Sequence, residues 1–194
     1  MSYIFHMEPS NSYVPKNIFL TNGVGIHRDE RTSFERALHD ADIEKYIRVY
    51  VSSIVPPGAQ IIPRRRGLTY LRPGQIVYCV MAHNQTNEPH RLVAASIGLA
   101  VPHDRKDHGY LSEHHSFGET DERAGDYAED LAASMRATSL GIEFDPNTAW
   151  QERENVYKAS KRIIRTRNVT QSAEGDKNGR WTTVVAAAVF VMDT

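Results

Sequence analysis

The sequence predicts an α/β or α+β sandwich, and three observations carry that prediction. Short β-prone runs alternate with helical patterns, and one long amphipathic helix follows the middle of the chain. No repeat, low-complexity tract or linker divides the 194 residues, so they read as one compact unit, a single domain spanning 1–194. A chain of this length can bury a substantial core.

The elements follow in order. Asn17-Ile18-Phe19-Leu20 reads as a first strand ended by Thr21-Asn22-Gly23. A short helix is expected from about Ser33 to Asp42. Thr32-Ser33-Phe34-Glu35 fits a capping box, and Phe34, Ala37, Leu38 and Ala41 fall on one face. Tyr46 to Val55 is rich in β-branched and aromatic residues and reads as a strand. Pro56-Pro57-Gly58 stops it, because neither proline can donate to a ladder and glycine permits a turn. Ile76 to Met81 is an apolar run of strand length, expected to be buried on both faces. Leu92 to Val101, followed by Pro102, reads as a strand whose small residues pack closely on another layer.

The clearest helix runs from Asp121 to Leu140. Ala124, Tyr127, Ala128, Leu131 and Met135 recur at helical spacing, acids fill the first turn, and Gly141 suits the C′ position. Lys161 to Thr170 is read as a strand. Asn178-Gly179 is a hairpin signal, and Trp181 to Met192 is the most β-prone run.

Composition narrows the function classes. The formal net charge is −1, with 40% hydrophobic and 24% charged residues, so nothing points to nucleic acid or a membrane surface. Arg64-Arg65-Arg66, between Pro63 and Gly67, reads as a solvated loop. Cys79 is the single cysteine, which excludes an intrachain disulfide and suits a reducing compartment. Met1 to Asn11 has no signal-peptide pattern, and no apolar stretch approaches the ~20 residues of a membrane span. A cytoplasmic protein is expected. His103, His108, His114 and His115 crowd one region with Asp107 and Glu113, but their spacing fits no zinc motif, and they read as solvated histidines with no metal. Gly23-Val24-Gly25 is too short for a dinucleotide fingerprint.

The pair Ser52-Ser53 has a chemical possibility of its own. A serine hydroxyl can attack the carbonyl of the residue before it through a five-membered ring, turning the amide into an ester. β-Elimination then leaves dehydroalanine, which loses ammonia and becomes a pyruvoyl group. On the residues alone, the blander reading, a strand end before a proline turn, is favoured.

Val51-Ser52-Ser53-Ile54-Val55-Pro56-Pro57 resembles the processing site of pyruvoyl-dependent arginine decarboxylases, where Ser-Ser-Ile-x-Pro-Pro follows a β-strand. Three other segments carry the resemblance. Phe34-Glu35-x-Ala37-Leu38 stands where the family has Phe-Asp-x-Ala-Leu, and Gly109-Tyr110-Leu111-Ser112-Glu113 where it has Gly-Leu-x-x-Glu. Val184 to Phe190 is similar to its closing alanine-rich strand. The likeness spans about Asn17 to Phe190. It implies a four-layer α/β/β/α sandwich, assembled as a homotrimer with each active site between two subunits.

The resemblance also implies roles. Cleavage would give a β chain of residues 1–52 and an α chain of residues 53–194, with Ser53 becoming a covalent pyruvoyl cofactor. Its ketone would take up the substrate amine, and its amide carbonyl would withdraw the electrons released with CO₂. Glu113 matches the family's proton-donating acid, which calls for a raised pKa and apolar surroundings. Glu35 stands where an aspartate pairs with the substrate guanidinium, a fit for a bidentate carboxylate. Its competing role is the capping box with Thr32. Leu38 would line the pocket or simply pack the helix. Ile54 would flank the pyruvoyl, and the new Ser52 carboxylate would stay near the site.

One position departs from the family pattern. The asparagine usually found six residues before the nucleophilic serine, which stabilises the cleavage oxyanion, is Ile47 here. A lost donor of this kind costs on the order of 10²–10³-fold in rate. Three readings therefore stand. The first is an arginine decarboxylase releasing agmatine in polyamine synthesis or acid resistance. The second is an unprocessed structural or regulatory subunit, and the third is a decarboxylase of another amino acid.

Overall fold

The computed structural model describes residues 13–141 and 164–192. In chain order the elements are β1 (Asn17–His27), α1 (Glu30–Asp40), β2 (Ile47–Tyr50), β3 (Ile54–Val55), β4 (Gln60–Ile61), α2 (Arg64–Leu68), β5 (Ile76–Thr86), β6 (Leu92–Pro102), β7 (Gly109–Phe117), α3 (Asp121–Ser139), β8 (Ile164–Glu174) and β9 (Trp181–Val191). The strands form two sheets, ordered β2-β5-β9-β1-β4 and β3-β7-β6-β8. The sheets face each other, α1 and α2 cover the outside of the first, and α3 covers the outside of the second. The result is the four-layer α/β/β/α sandwich.

Two apolar layers hold it together. Between the sheets lie Ile18, Val55, Val80, Ile97, Leu99, Leu111 and Phe190, all nearly inaccessible to water. Between the first sheet and α1 lie Phe19, Leu38, Ile43, Cys79, Val189 and their neighbours. Strand β9 is apolar on both faces because it contributes to both layers. Val184, Ala186 and Ala188 face one layer, and Val185, Ala187 and Val189 face the other.

Small residues set the distance between helix and sheet. A Cβ on Gly25 would lie 2.1 Å from the Ser33 carbonyl oxygen, and one on Gly23 would lie 2.3 Å from that of Ala37. This is why β1 does not end at Thr21-Asn22-Gly23 as its sequence suggests. The glycines are contact points for α1 inside an 11-residue strand. On the other side of the molecule, a Cβ on Gly98 would lie 2.0 Å from the Ala128 carbonyl oxygen of α3. The close packing expected for Leu92 to Val101 is present.

Several sequence expectations are corrected. Helix α1 starts at Glu30 and is capped by Asp29, whose Oδ1 accepts from the Thr32 amide at 2.9 Å, so Thr32 and Glu35 do not form the capping box. The expected strand from Tyr46 to Val55 is two strands in different sheets, interrupted at Val51-Ser52-Ser53. The apolar run at Ile76 continues as a strand to Thr86. Arg64-Arg65-Arg66 opens the short helix α2, and Arg64 bonds the Asp40 carbonyl at 2.7 Å. Asn178-Gly179 is a turn, with Gly179 at φ +73°, but it joins strands of different sheets and makes no hairpin. Along α3 the buried face is Ala124, Gly125, Ala128, Ala132, Arg136 and Ala137, while Tyr127 and Leu131 point outward. The tight approach to β6 is made at Ala128, opposite Gly98. Lys161 lies outside the described residues, and β8 begins at Ile164.

The Pro56-Pro57-Gly58 stop is as expected: Gly58 has φ +75°, and the Ala59 amide donates to the Pro56 carbonyl at 3.1 Å. Among the described residues, no helix is long and apolar enough to cross a membrane. Replacing Gly98 with valine should destabilise the fold by about 2–3 kcal/mol, because the new side chain meets backbone of α3. Urea denaturation of the variant against the parent chain measures the loss.

Candidate active site

The site is built where the chain leaves one sheet for the other. Strand β2 runs parallel to β5, with Tyr50 opposite Cys79, and the next amide, that of Val51, still donates to the Cys79 carbonyl at 3.1 Å. Two residues later the chain belongs to the second sheet. The Ser53 carbonyl accepts from the Leu111 amide at 2.9 Å, and Ile54 pairs with Tyr110 of β7. Between these anchors the Ile54 amide donates to the Ser52 carbonyl at 2.9 Å, closing a three-residue turn around Ser53. Ser53 does not have a positive φ, so the turn is of the common inverse γ type found at strand ends. The Ser52–Ser53 peptide is thereby fixed from both sides by main-chain bonds.

Glu113 lies two residues beyond Leu111 on β7, on the same face of the strand. Its charge is felt by both Tyr50 and Cys79, which places the carboxylate beside the crossing. Desolvation by its surroundings pushes the Glu113 pKa above the usual carboxylate range, with nearby His115 opposing part of that rise. Glu113 still reaches solvent in the single chain. Cys79, buried under the crossing, has its thiol pushed up to about 11, chiefly by desolvation. That thiol is protonated at neutral pH and acts as an apolar side chain.

The other candidate residues divide. Ser52 and Ile54 are exposed on either side of Ser53. Leu38 is fully buried in the layer between α1 and the first sheet, the packing role of its two expected ones. Glu35 sits on the exposed face of α1, a helix that packs on β1 and β9. The fold of one chain therefore does not bring Glu35 to Ser53. Ile47 is 56% exposed on β2, the edge strand of its sheet, so its side chain offers neither a donor nor burial. Arg48, next to it, directs Nη1 to the carbonyls of Ile43 and Tyr46 at 3.0 and 3.3 Å. Sequence reading passed over Arg48, whose half-buried guanidinium lies near Tyr50 and Cys79, because a lone arginine in a β-prone run carries no pattern.

The histidines do not gather around an ion. Among the described residues, no group of three or more metal-ligating side chains converges. His114 is held by Glu119 at 2.8 Å and stacks on Tyr127, and His108 lies against Tyr110. A cavity of about 870 Å³ lies away from this crossing. It opens at the end of the sandwich, beginning at Val55 and Pro56 and reaching Arg105, Arg165 and Arg167. The backbone geometry at Ser53 is the stronger guide to the chemistry, since neither Ser53 nor Glu113 lines that cavity.

Residues 17–194 match the family model of pyruvoyl-dependent arginine decarboxylases. The chain belongs to that family. It is 62% identical over 180 residues to a protein of Chloroherpeton thalassium named as a probable pyruvoyl-dependent arginine decarboxylase, covering 93% of this chain and 99% of that one. It is 60% identical over 178 residues to pyruvoyl-dependent arginine decarboxylase 2 of Methanosarcina mazei, covering 92% and 97% of the two chains. The corresponding protein of Methanococcoides burtonii is 60% identical over 179 residues. Membership carries with it a covalent pyruvoyl cofactor. The residues at the crossing fit such a group. They comprise a serine whose preceding carbonyl is held in a turn, and an acid with a raised pKa on the adjoining strand.

The pKa of Glu113 has a measurable consequence. A carboxyl with a folded pKa above its unfolded value binds more protons when folded. Its effect on stability is therefore absent at low pH and unfavourable as pH rises through the folded value. Glu113→Gln should remove that loss, so the variant gains melting temperature relative to the parent at neutral pH but not at pH 4. Parallel thermal melts across pH 4 to 8 check this.

Proposed function

We propose that this chain cuts itself between Ser52 and Ser53 and, using the pyruvoyl group made from Ser53, decarboxylates L-arginine to agmatine and CO₂. The observation that carries the reading is the crossing itself. The candidate scissile peptide is pinned between two sheets, with an acid of raised pKa beside it, in a chain that is about 60% identical to arginine decarboxylases over nearly its whole length. The products of cleavage are residues 1–52 and 53–194.

When formed, the pyruvoyl group supplies the electron sink for loss of CO₂. The chain's own residues do the rest. Glu113 is in its protonated form for longer than an ordinary glutamate, and its carboxyl hands a proton to the substrate α-carbon once CO₂ has left. Ser52, carrying a new carboxylate after cleavage, and Ile54 flank the reacting group. The anchors at Cys79 and Leu111 keep the two new termini aligned with the sheets. Glu35 binds the guanidinium from a neighbouring subunit, since it lies away from Ser53 within its own chain.

The reading includes a homotrimer with shared sites, and the same edge supports an assembly. Ile47, Val49, Tyr50, Ile54 and Ile76 are each between 38% and 58% exposed along β2, β3 and the start of β5. An open edge strand carrying apolar side chains is a surface that proteins cover. The reading includes a cytoplasmic location, a small-molecule substrate, and no nucleic-acid or membrane partner. One observation favours a second reading, an uncut subunit: Ile47 is exposed and has no donor.

Intact mass decides between them. Two chains should appear, and Ser53→Ala should stay whole. A parent chain that remains whole after long incubation removes the enzyme reading. Glu113→Gln should still cut but lose agmatine formation by roughly 10²-fold or more, measured as released CO₂ from labelled arginine. Ile47→Asp should shift the assembly toward monomer in light scattering, with loss of activity at the shared sites.

A further inference from the structure

We infer that the main-chain amide of Ile54 is the donor that stabilises the oxyanion formed on the Ser52 carbonyl during cleavage. The inference rests on the self-cleavage reading above and assigns a part of it that the sequence leaves empty. Ser53 Oγ attacks the Ser52 carbonyl carbon, an Oγ–C bond forms, and the π electrons move onto the carbonyl oxygen. Collapse breaks the C–N bond, and the hydroxyl proton ends on the Ser53 nitrogen, now a free amine beside the new ester. The oxygen that carries the negative charge is the one that Ile54 N–H already holds at 2.9 Å.

Geometry excludes the neighbouring side chain at position 47 and leaves one rival. Ile47 has no donor and points to the open edge. Arg48 has Nη1 committed to Ile43 and Tyr46, but its Nε is buried without a partner, which makes it the rival donor near the crossing. The Ile54 amide needs no movement to act. The hydrogen-bonded ladder does not require it, and its acceptor is the reacting group. As charge develops, an ordinary amide–carbonyl bond becomes charge-assisted, and the donor is worth more in the transition state than in the uncut chain. The same turn constrains φ of Ser53, one of the torsions that bring Oγ toward the carbon.

The amide can be deleted without touching the side chain. Cell-free translation with a suppressor tRNA carrying the hydroxy-acid analogue of isoleucine replaces Ile54 N–H by oxygen in the full chain. The 52–53 cut is then followed by mass, which separates it by one serine from hydrolysis of the new ester at 53–54. The expected result is a fall of about 10²-fold in the rate of the 52–53 cut. The ester also weakens the Ser53 carbonyl as acceptor for Leu111, so the control is the hydroxy-acid analogue of leucine at 111, which deletes that bond and weakens only the Tyr110 carbonyl, away from the reacting group. Its effect should be several-fold smaller. Equal slowing by both would reduce Ile54 to an anchor and overturn the inference. So would an unchanged rate for the 54 variant, or an Arg48→Met chain that alone stops cutting. A parent chain that never cuts removes the processing reading and this inference with it, whereas normal cutting of the ester variant removes only the inference.

Discussion

The fold turns on a short crossing between two sheets, tethered by the Val51 amide to β5 and by the Ser53 carbonyl to β7. Both sheets are otherwise built around long hydrogen-bonded strands, and both bury their inner faces against each other. The crossing is the place where the backbone leaves one ladder and enters the other. It does so by borrowing a local bond, Ile54 to Ser52, for the residue that has no ladder partner. A peptide held in this way has lost most of its freedom before any reaction begins. The order needed for chemistry is supplied by the same bonds that stabilise the fold.

The layers around the crossing serve it in different ways. Alanine and glycine on β6 and α3 bring that helix close to its sheet, making the support behind β7 stiff. Strand β7 in turn carries Leu111, which anchors Ser53, and Glu113, whose environment raises its pKa. Cys79, buried on the other side, fills space beneath Tyr50 and lowers the local polarity. The edge strand β2 is left with apolar residues facing outward, so the same crossing that forms the site also exposes an adhesive edge. The candidate site and the exposed apolar edge are continuous because they use the same few residues.

Local sequence was sufficient where one residue type allows one outcome. Pro56-Pro57-Gly58 had to end the strand, Gly141 with φ +69° had to follow the helix, and the apolar run of β9 had to be buried. The Ser-Ser-Ile run and the Gly-x-x-x-Glu segment identified the family, which in turn implied the layer order that the fold displays. Local sequence failed wherever a distant element made the choice. Gly23 looked like a strand end because glycine often is one, yet α1 needs the missing side chain. Tyr127 and Leu131 looked like core on α3, yet the face against the sheet is mostly alanine and both point outward. Asn178-Gly179 formed its turn but not a hairpin, because the partner of β9 is chosen by sheet order and not by the turn.

The Ser52–Ser53 bond shows the division most clearly. The sequence by itself determined which bond carries the family's signature, since a serine after a serine beside that proline turn is readable in one dimension. It also determined that position 47 lacks a donor. Only the tertiary structure decided that the expected strand breaks there, that its halves join different sheets, and that Ile54 N–H faces the Ser52 carbonyl. It also put Leu38 in the buried layer between α1 and the first sheet, and Glu35 on the exposed face of that helix. The physical reason is that hydrogen-bond partners and burial are set by distant segments, as far apart as Asn17 and Val191, which no local pattern encodes.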